Sequence, residues 1–408
     1  VRVADLTAVW AGPYATRLLA DLGAEVIKIE SPGSPDLLRT LSMLPPGTER
    51  AYNRSAYFNH NNRNKLGCAI DLAQDEGRRL FLDLVQCCDV VIENFRADVL
   101  DKLGIGYDVL RQARPDIVLV SMPGHGKTGP EAGFIAYGTH VEQLAGLVSI
   151  TGYENDVPHK SGISYGDPVS GTAAAGAVLA ALLYRRRTGR GQWIDLAQRE
   201  ALTTLLGEYV VGYSMTRELP GPTGNGHPAW APHGVFRCVG EDRWLAIAVR
   251  TDAEFAALCD VIGRPELARD PRFADGLSRH RHRAELAEPI TDWTQTRDAF
   301  AAATELQQAG VPAGPVESYR HLLEDDEQLR ERGYFEQVTH VDAGEWRMDG
   351  PVWHFNASQP HIRINAPRFG EHNGRIFQEL LGASPDRLQS LTDRHVVGDE
   401  PDLSFHGR

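Results

Sequence analysis

Cysteine is scarce and odd in number: five in 408 residues, with no C-x-x-C spacing among them. That excludes a disulfide framework and reads as buried thiols in a reducing compartment. Cys87 and Cys88 are adjacent in a helical pattern, which suits core filler rather than a redox pair. Basic side chains are outnumbered, 42 against 55 acidic, and the resulting charge of −13 repels phosphate backbones unless the cations cluster. A nucleic-acid partner is not expected. No run reaches the ~18 consecutive apolar residues of a membrane span. The most apolar helical stretch, Thr172 to Tyr184, ends in Arg185-Arg-Arg187 and is too short to cross. The amino terminus enters a strand pattern without a basic-plus-apolar leader. The expectation is a cytoplasmic protein with no membrane partner. What the chain does have is length and an ordinary apolar content of 42%. That is enough for a hydrophobic core divided among roughly two to three domains.

The first half alternates strand and helix signals. Val1–Leu6 reads as a strand, Trp10-Ala-Gly-Pro13 as a turn with Pro at a helix start, and Ala15–Leu22 as a helix closed by Gly23. Ala24–Ile29, Asp89–Ile92 and Ile117–Val120 are further short apolar strands. Between them, Leu80, Phe81, Leu84, Val85 and Cys88 form one helical stripe behind Asp75-Glu76. This predicts an α/β fold with a doubly wound, Rossmann-like sheet in a large domain over residues 1–200. Pro and Gly crowd Arg217–Pro232, marking a linker at 201–225. A smaller α+β domain follows at 226–318, opened by a hairpin (Val235–Cys238, Trp244–Val249) and a capping box at Thr251 and Glu254. A second linker at 319–335 is charged and helical. The segment 336–408 returns to the large domain and carries a helix from about Gly374 to Leu381.

Two nucleotide readings fail on their glycines. The turn Val9-Trp-Ala-Gly-Pro-Tyr14 is not G-x-G-x-x-G, and Trp10 and Tyr14 crowd the place of a pyrophosphate. Ser121-Met-Pro-Gly-His-Gly-Lys-Thr128 ends like a P-loop, but Pro123 removes an amide donor and Gly129-Pro130 stops the helix that would follow. More informative is Gly162-Ile-Ser-Tyr-Gly-Asp-Pro-Val-Ser-Gly171 before an Ala-rich helix. There Asp167 is either an N-cap, with the first turn starting at Pro168, or a carboxylate held where amides favour negative charge and able to accept an acyl group.

Several ordered motifs resemble the family III coenzyme A transferases, the formyl-CoA and carnitine-CoA transferase (CaiB/BaiF) group. They are Asp5–Glu30, Asn61-Asn-Arg-Asn-Lys-Leu66, Val91-Ile-Glu-Asn-Phe95, Ser121-Met-Pro-Gly124, Gly166-Asp167, Arg187-Thr-Gly-Arg-Gly-Gln192 and Gly370-Glu-His372. The resemblance implies that Asp167 is a nucleophile passing through anhydride and aspartyl-CoA thioester forms. It implies that Val9, Trp10 and Ala11 line the thiol end of CoA, and that Arg39, Asn94, Phe95, Lys102 and Tyr137 contact it. Coenzyme A and acyl-CoA enter as substrates, CoA passing from an acyl-CoA donor such as succinyl-CoA to an organic acid, with no tightly bound cofactor and no metal, and the protein is expected to be an interlocked homodimer. Lys102 replaces an Arg of the formyl-CoA branch, Trp10 replaces its Gln, and Ala73 and Ile135 replace two of its basic residues. Tyr137 stands where the related α-methylacyl-CoA racemases carry a His base, so racemization is the alternative activity; a tyrosine of pKa near ~10 is a poor base at neutral pH. A non-catalytic acyl-CoA binding protein is the alternative of a different class. His227, Trp230 and His233, in the Gly224–Gly234 loop, are expected either to form a lid facing substrate or to belong to an ordinary interdomain loop.

Overall fold

Val3 and Ala4, Val26 and Ile27, Val90–Ile92 and Val118–Val120 are buried to within a few per cent on both alternating faces. Continuous burial of this kind needs helices on both sides of a parallel sheet. The computed structural model, which describes residues 1–41 and 47–403, has that sheet. Six strands, β1 (Arg2–Asp5), β2 (Glu25–Glu30), β3 (Lys65–Ala69), β4 (Val90–Glu93), β5 (Val118–Ser121) and β6 (Trp193–Asp195), are ordered β3-β2-β1-β4-β5-β6. Every pairing is parallel. The strand order reverses between β1 and β4, which is where doubly wound sheets open a ligand crevice.

The helices that follow these strands up to residue 216 are α1 (Ala11–Asp21), α2 (Ala56–Asn62), α3 (Asp75–Gln86), α4 (Val99–Lys102), α5 (Tyr107–Ala113), α6 (Gly138–Leu144), α7 (Gly166–Thr188), α8 (Gln198–Thr203) and α9 (Gly207–Thr216). α1 and α7 pack closely because Gly171 has no side chain: a Cβ there would lie 2.7 Å from the Ala11 carbonyl oxygen. At 23 residues α7 is longer than its apolar run suggests, and among the described residues it is the one helix apolar and long enough to cross a membrane by length and composition. Its Ala174, Ala175, Val178 and Ala181 are buried with α1 in the core beside the sheet.

The chain divides into two units. The first holds Val1–Leu147, Lys160–Glu218 and the chain from Glu327 onward; the second holds Val148–His159 and Leu219–Asp326. This differs from the sequence-based boundaries in three places. α8 and α9 fall in the first unit rather than in a linker at 201–225, because Leu202 joins Val141 and Ala145 in a small core cluster there. Val148–His159, expected in the large domain, belongs to the second unit through the main-chain bond from Gly224 N to the Gly152 carbonyl. Residues 319–326 also belong to the second unit. The last five residues of the 336–408 segment lie outside the described residues. Its Gly374–Leu380 stretch is a π-helix, and it begins with an antiparallel hairpin, Phe335–His340 and Gly344–Asp349, that the sequence did not announce.

The second unit carries a three-stranded antiparallel sheet, β7 (His233–Arg237), β8 (Trp244–Ala248) and β9 (Ala313–Pro315). Thr251 and Glu254 form the expected capping box at the start of the helix Asp252–Val261. Phe255, Leu258, Leu286, Trp293 and Leu306 form a separate core.

Candidate active site

The turn after β1 is fixed by buried charge. Lys65 reaches Asp5 Oδ2 at 3.0 Å, the Pro13 carbonyl at 3.0 Å and Asn62 Oδ1 at 2.9 Å. Asp5 also accepts from Thr7 N at 2.9 Å and from the Thr16 hydroxyl at 2.7 Å. Lys28 binds Asp36 Oδ2 at 2.9 Å and the Thr7 carbonyl, while Asp36 Oδ1 accepts from Val9 N at 3.1 Å. Burial pushes the Asp5 carboxyl up, but Lys65, Lys28 and the two threonine hydroxyls outweigh it and hold it below the ordinary range. Burial, with Lys28 alongside, brings Lys65 down to about 8 against the pull of Asp5. Unpaired, any of these charges would be strongly destabilising. Paired, they hold Val9 at φ +67°, a conformation that a β-branched residue adopts only under constraint.

Across the switch point, Asn94 completes the clamp. Its Nδ2 donates to the Ala8 carbonyl and its Oδ1 accepts from Ala8 N, both at 2.8 Å. Thr7, Ala8 and Val9 are thus fixed through their main chain, and α1 starts with a free amide at Ala11. That amide meets Asp167: Ala11 N lies 3.3 Å from Asp167 Oδ1. Asp167 is 7% exposed, on the first turn of α7. It does not cap its own helix; the helix already begins at Gly166, and the carboxylate turns to the amino end of α1 instead. Burial raises its pKa to about 6, with Glu142 adding to the rise and the Ala11 amide opposing it. A Cβ on Gly138 would lie 2.0 Å from Asp167 Oδ2, so the carboxylate occupies space that only glycine leaves.

A cleft of about 560 Å³ opens at the carboxyl ends of β1, β2, β3 and β4, lined by Ala8, Ser31, Ala73, Phe95, Leu103 and Tyr137 among others. Such a volume suits a sizeable ligand. Tyr137 joins the cleft to the carboxylate, since it lines the one and precedes Gly138, which abuts the other. Trp10 stands edge-on to Tyr57 with ring centroids 5.4 Å apart. Burial, and after it the charge of Asp167, lifts the Tyr57 hydroxyl far above the ordinary phenol range.

Of the residues predicted from sequence, Val9, Trp10, Ala11, Asn94 and Asp167 are thus gathered at one place, with Phe95 and Tyr137 on the adjoining cleft. Two basic residues are differently employed. Arg39 is 1% exposed, forked onto Glu30 at 2.8 and 2.7 Å, and bonded to Asn53 Oδ1 and the Pro367 carbonyl. Its ring of acceptors leaves nothing for a phosphate; it braces the wall behind the cleft. Asn94 likewise spends its amide on Ala8. Lys102 is exposed and pairs with Asp98 at 2.5 Å on α4. His227, Trp230 and His233 cluster in the second unit: His227 stacks on Trp230 at 4.0 Å and lies 5.3 Å from His233. Slight desolvation and the neighbouring His233 and His280 lower the His227 pKa. Among the described residues one group, Glu317, His321 and Asp326, has the spacing of a cation site; it is only half-buried and lies in the second unit.

Sequence reasoning missed Lys28, Asp36, Tyr57, Gly138 and Glu142. Lys28 and Lys65 carried a signal, a lysine inside or opening an apolar strand, which is stable only when paired.

Residues 1–373 match the sequence model of CoA-transferase family III. The chain belongs to that family. It is 35% identical over 397 residues to the succinyl-CoA–D-citramalate CoA-transferase of Chloroflexus aurantiacus, covering 97% of both chains. It is 36% identical to the succinyl-CoA:mesaconate CoA-transferase of Haloarcula hispanica, covering 96% of this chain and 98% of the relative. A CaiB/BaiF family protein from Brucella suis has the same fold, with a TM-score of 0.85 at 32% identity over 93% of this chain and 98% of the other. The protein is therefore a family III CoA-transferase, and acyl-CoA thioesters and organic acids are its substrate classes.

Proposed function

We propose that this CoA-transferase moves CoA from succinyl-CoA to a short dicarboxylic acid, using Asp167 as a covalent nucleophile. The reading is carried by one observation: a buried carboxylate, raised to about 6, that faces the amide of Ala11 beside the cleft. At neutral pH such a group is ionised yet more nucleophilic than an ordinary aspartate.

In this scheme an Asp167 oxygen attacks the thioester carbon and the C–S bond breaks, giving an anhydride and CoA thiolate. The thiolate attacks the Asp167 acyl carbon, and the bond to the bridging oxygen breaks, releasing succinate. The acceptor carboxylate then attacks the aspartyl thioester, giving a second anhydride and thiolate. Attack of that thiolate on the acceptor acyl carbon yields the new acyl-CoA and restores the carboxylate. The Ala11 amide would stabilise negative oxygen during these steps. Trp10 and Tyr57 would shield the anhydride from water, and CoA would lie in the cleft along Phe95 and Tyr137.

The named relatives support the choice of donor and of a dicarboxylic acceptor. The second part of the proposal is a homodimer: Tyr209, Val210, Val211, Tyr213 and Met215 are exposed around the circumference of α9, which has no buried residue, and a second copy would cover them. A cytoplasmic site of action suits the five free thiols. The test is a mass-spectrometric panel of succinyl-CoA and acetyl-CoA against dicarboxylic and monocarboxylic acids, with Asp167→Ala as control. Transfer from succinyl-CoA to dicarboxylates, lost in the variant with CoA binding retained, is the expected result. Normal turnover by Asp167→Ala would overturn it.

A further inference from the structure

The nucleophile has a buried neighbour of the same charge. Glu142, on α6, is wholly buried. Its Oε2 accepts from Ser161 N at 3.2 Å; its Oε1 accepts from the Ser161 hydroxyl at 2.6 Å and from Tyr165 N at 2.6 Å. The same hydroxyl also reaches the Ile163 carbonyl. Among the described residues no Lys, Arg or His is ion-paired with Glu142. A glutamate placed this way is expensive to bury, and a plain structural clasp would be served by a neutral acceptor. The three bonds close on the strap Ser161–Tyr165, whose next two residues are Gly166 and Asp167. Gly138, on the first turn of the same helix as Glu142, abuts the Asp167 carboxylate.

We propose that Glu142 is a positioning residue for the transfer reaction: by clasping the strap it delivers Asp167 to the amide of Ala11, and it sets a second acidic side chain near that carboxylate. The inference rests on the reading of Asp167 as nucleophile and adds to it a second acidic side chain that acts through the strap. Among the described residues the ionisable groups facing Asp167 are Glu142 from α6 and Tyr57 from α2, and the Ala11 amide faces it from α1. Glu142 is the one that pushes the Asp167 pKa upward besides burial.

The substitution Glu142→Gln keeps the shape, removes the charge and sets an amide N–H against one of the strap donors. The expected result is a fall in kcat of about tenfold or more, from a displaced nucleophile. KM for acyl-CoA stays within about twofold, because the cleft residues are untouched. The acid limb of the kcat profile moves down by about half a pH unit or more, because Asp167 ionises more easily without its neighbour. A strap that mattered for folding alone would change the melting temperature without moving that limb. Wild-type kcat in Glu142→Gln, or a lowered kcat with an unmoved limb, overturns the proposal. If Glu142→Gln does not fold, Ser161→Ala loosens the clasp while keeping the charge. A several-fold loss of kcat at an unchanged limb then supports the role, and wild-type kcat overturns it. Hydroxylamine trapping on the wild-type enzyme with succinyl-CoA separates the two levels. Without an Asp167 hydroxamate the nucleophile reading fails and this inference with it; with one, normal kinetics in Glu142→Gln sink the Glu142 role alone.

Discussion

Asp167 Oδ1 and the Ala11 amide nitrogen, 156 residues apart in sequence, meet at 3.3 Å. This contact joins the amino ends of α1 and α7, which pack closely against each other at Gly171. Everything that fixes the turn before Ala11, from Lys65 on Asp5 to Asn94 on Ala8, acts through it.

The first consequence is a pH dependence of rate. Asp167 must be ionised to attack, so kcat should fall as pH drops through about 6. A steady-state pH profile with saturating acyl-CoA checks this; a flat profile down to pH 4.5 would be inconsistent with that carboxylate acting as the nucleophile.

The same shift has a stability consequence of opposite sense. A carboxyl whose pKa rises on folding binds its proton more tightly in the native state. Its contribution is fully present below the unfolded value near 3.8 and is lost as pH rises through about 6. The strain at pH 8 amounts to about 3 kcal/mol by linkage. Asp167→Asn, which retains an acceptor for Ala11, should therefore be inactive yet melt higher than wild type at pH 8, with the gap closing toward pH 4. Thermal unfolding at the two pH values decides it.

Gly138 sets the room for the carboxylate. Gly138→Ala places a methyl 2.0 Å from Asp167 Oδ2 and 2.2 Å from Ser164 Cβ, so the nucleophile must move. A displacement of that order should lower kcat by about 100-fold. A variant that folds, binds CoA and turns over normally would show that the geometry is not required.

Asn94 is expected to matter for shape rather than for direct contact. Asn94→Ala deletes both bonds to Ala8 and leaves a half-buried amide and carbonyl unpaired, a loss of about 1–3 kcal/mol. Chemical denaturation should register it, together with a raised KM for acyl-CoA.

Much of this was legible in the sequence, and the remainder has physical reasons. The apolar runs of β1, β2, β4 and β5 and the capping box at Thr251 declared themselves, because burial and capping leave local patterns. β3 did not: Lys65-Leu-Gly-Cys-Ala69 opens with a charge, contains a glycine, and is a strand because Asp5 and Asn62 neutralise the lysine from elsewhere. β6, three residues long, had too little pattern to read. At the site, Asp167 stood out beside its Gly and Pro, but the N-cap alternative yields only to a tertiary contact. Arg39 matched a CoA-contacting position, whereas its pairing with Glu30 becomes visible only once β2 and the following turn are folded. Glu142 had no local signal at all, since nothing in the sequence around it foretells that the strap closes over it.

The central claim is that Asp167 carries CoA during turnover. Enzyme mixed with succinyl-CoA in the absence of acceptor, quenched in acid and measured as intact protein and as peptides, tests it most directly. The expected result is a CoA adduct, formed with loss of water, on the peptide containing Asp167 and discharged when a dicarboxylic acceptor is added. Active enzyme with no adduct, or with the adduct on another residue, would contradict it.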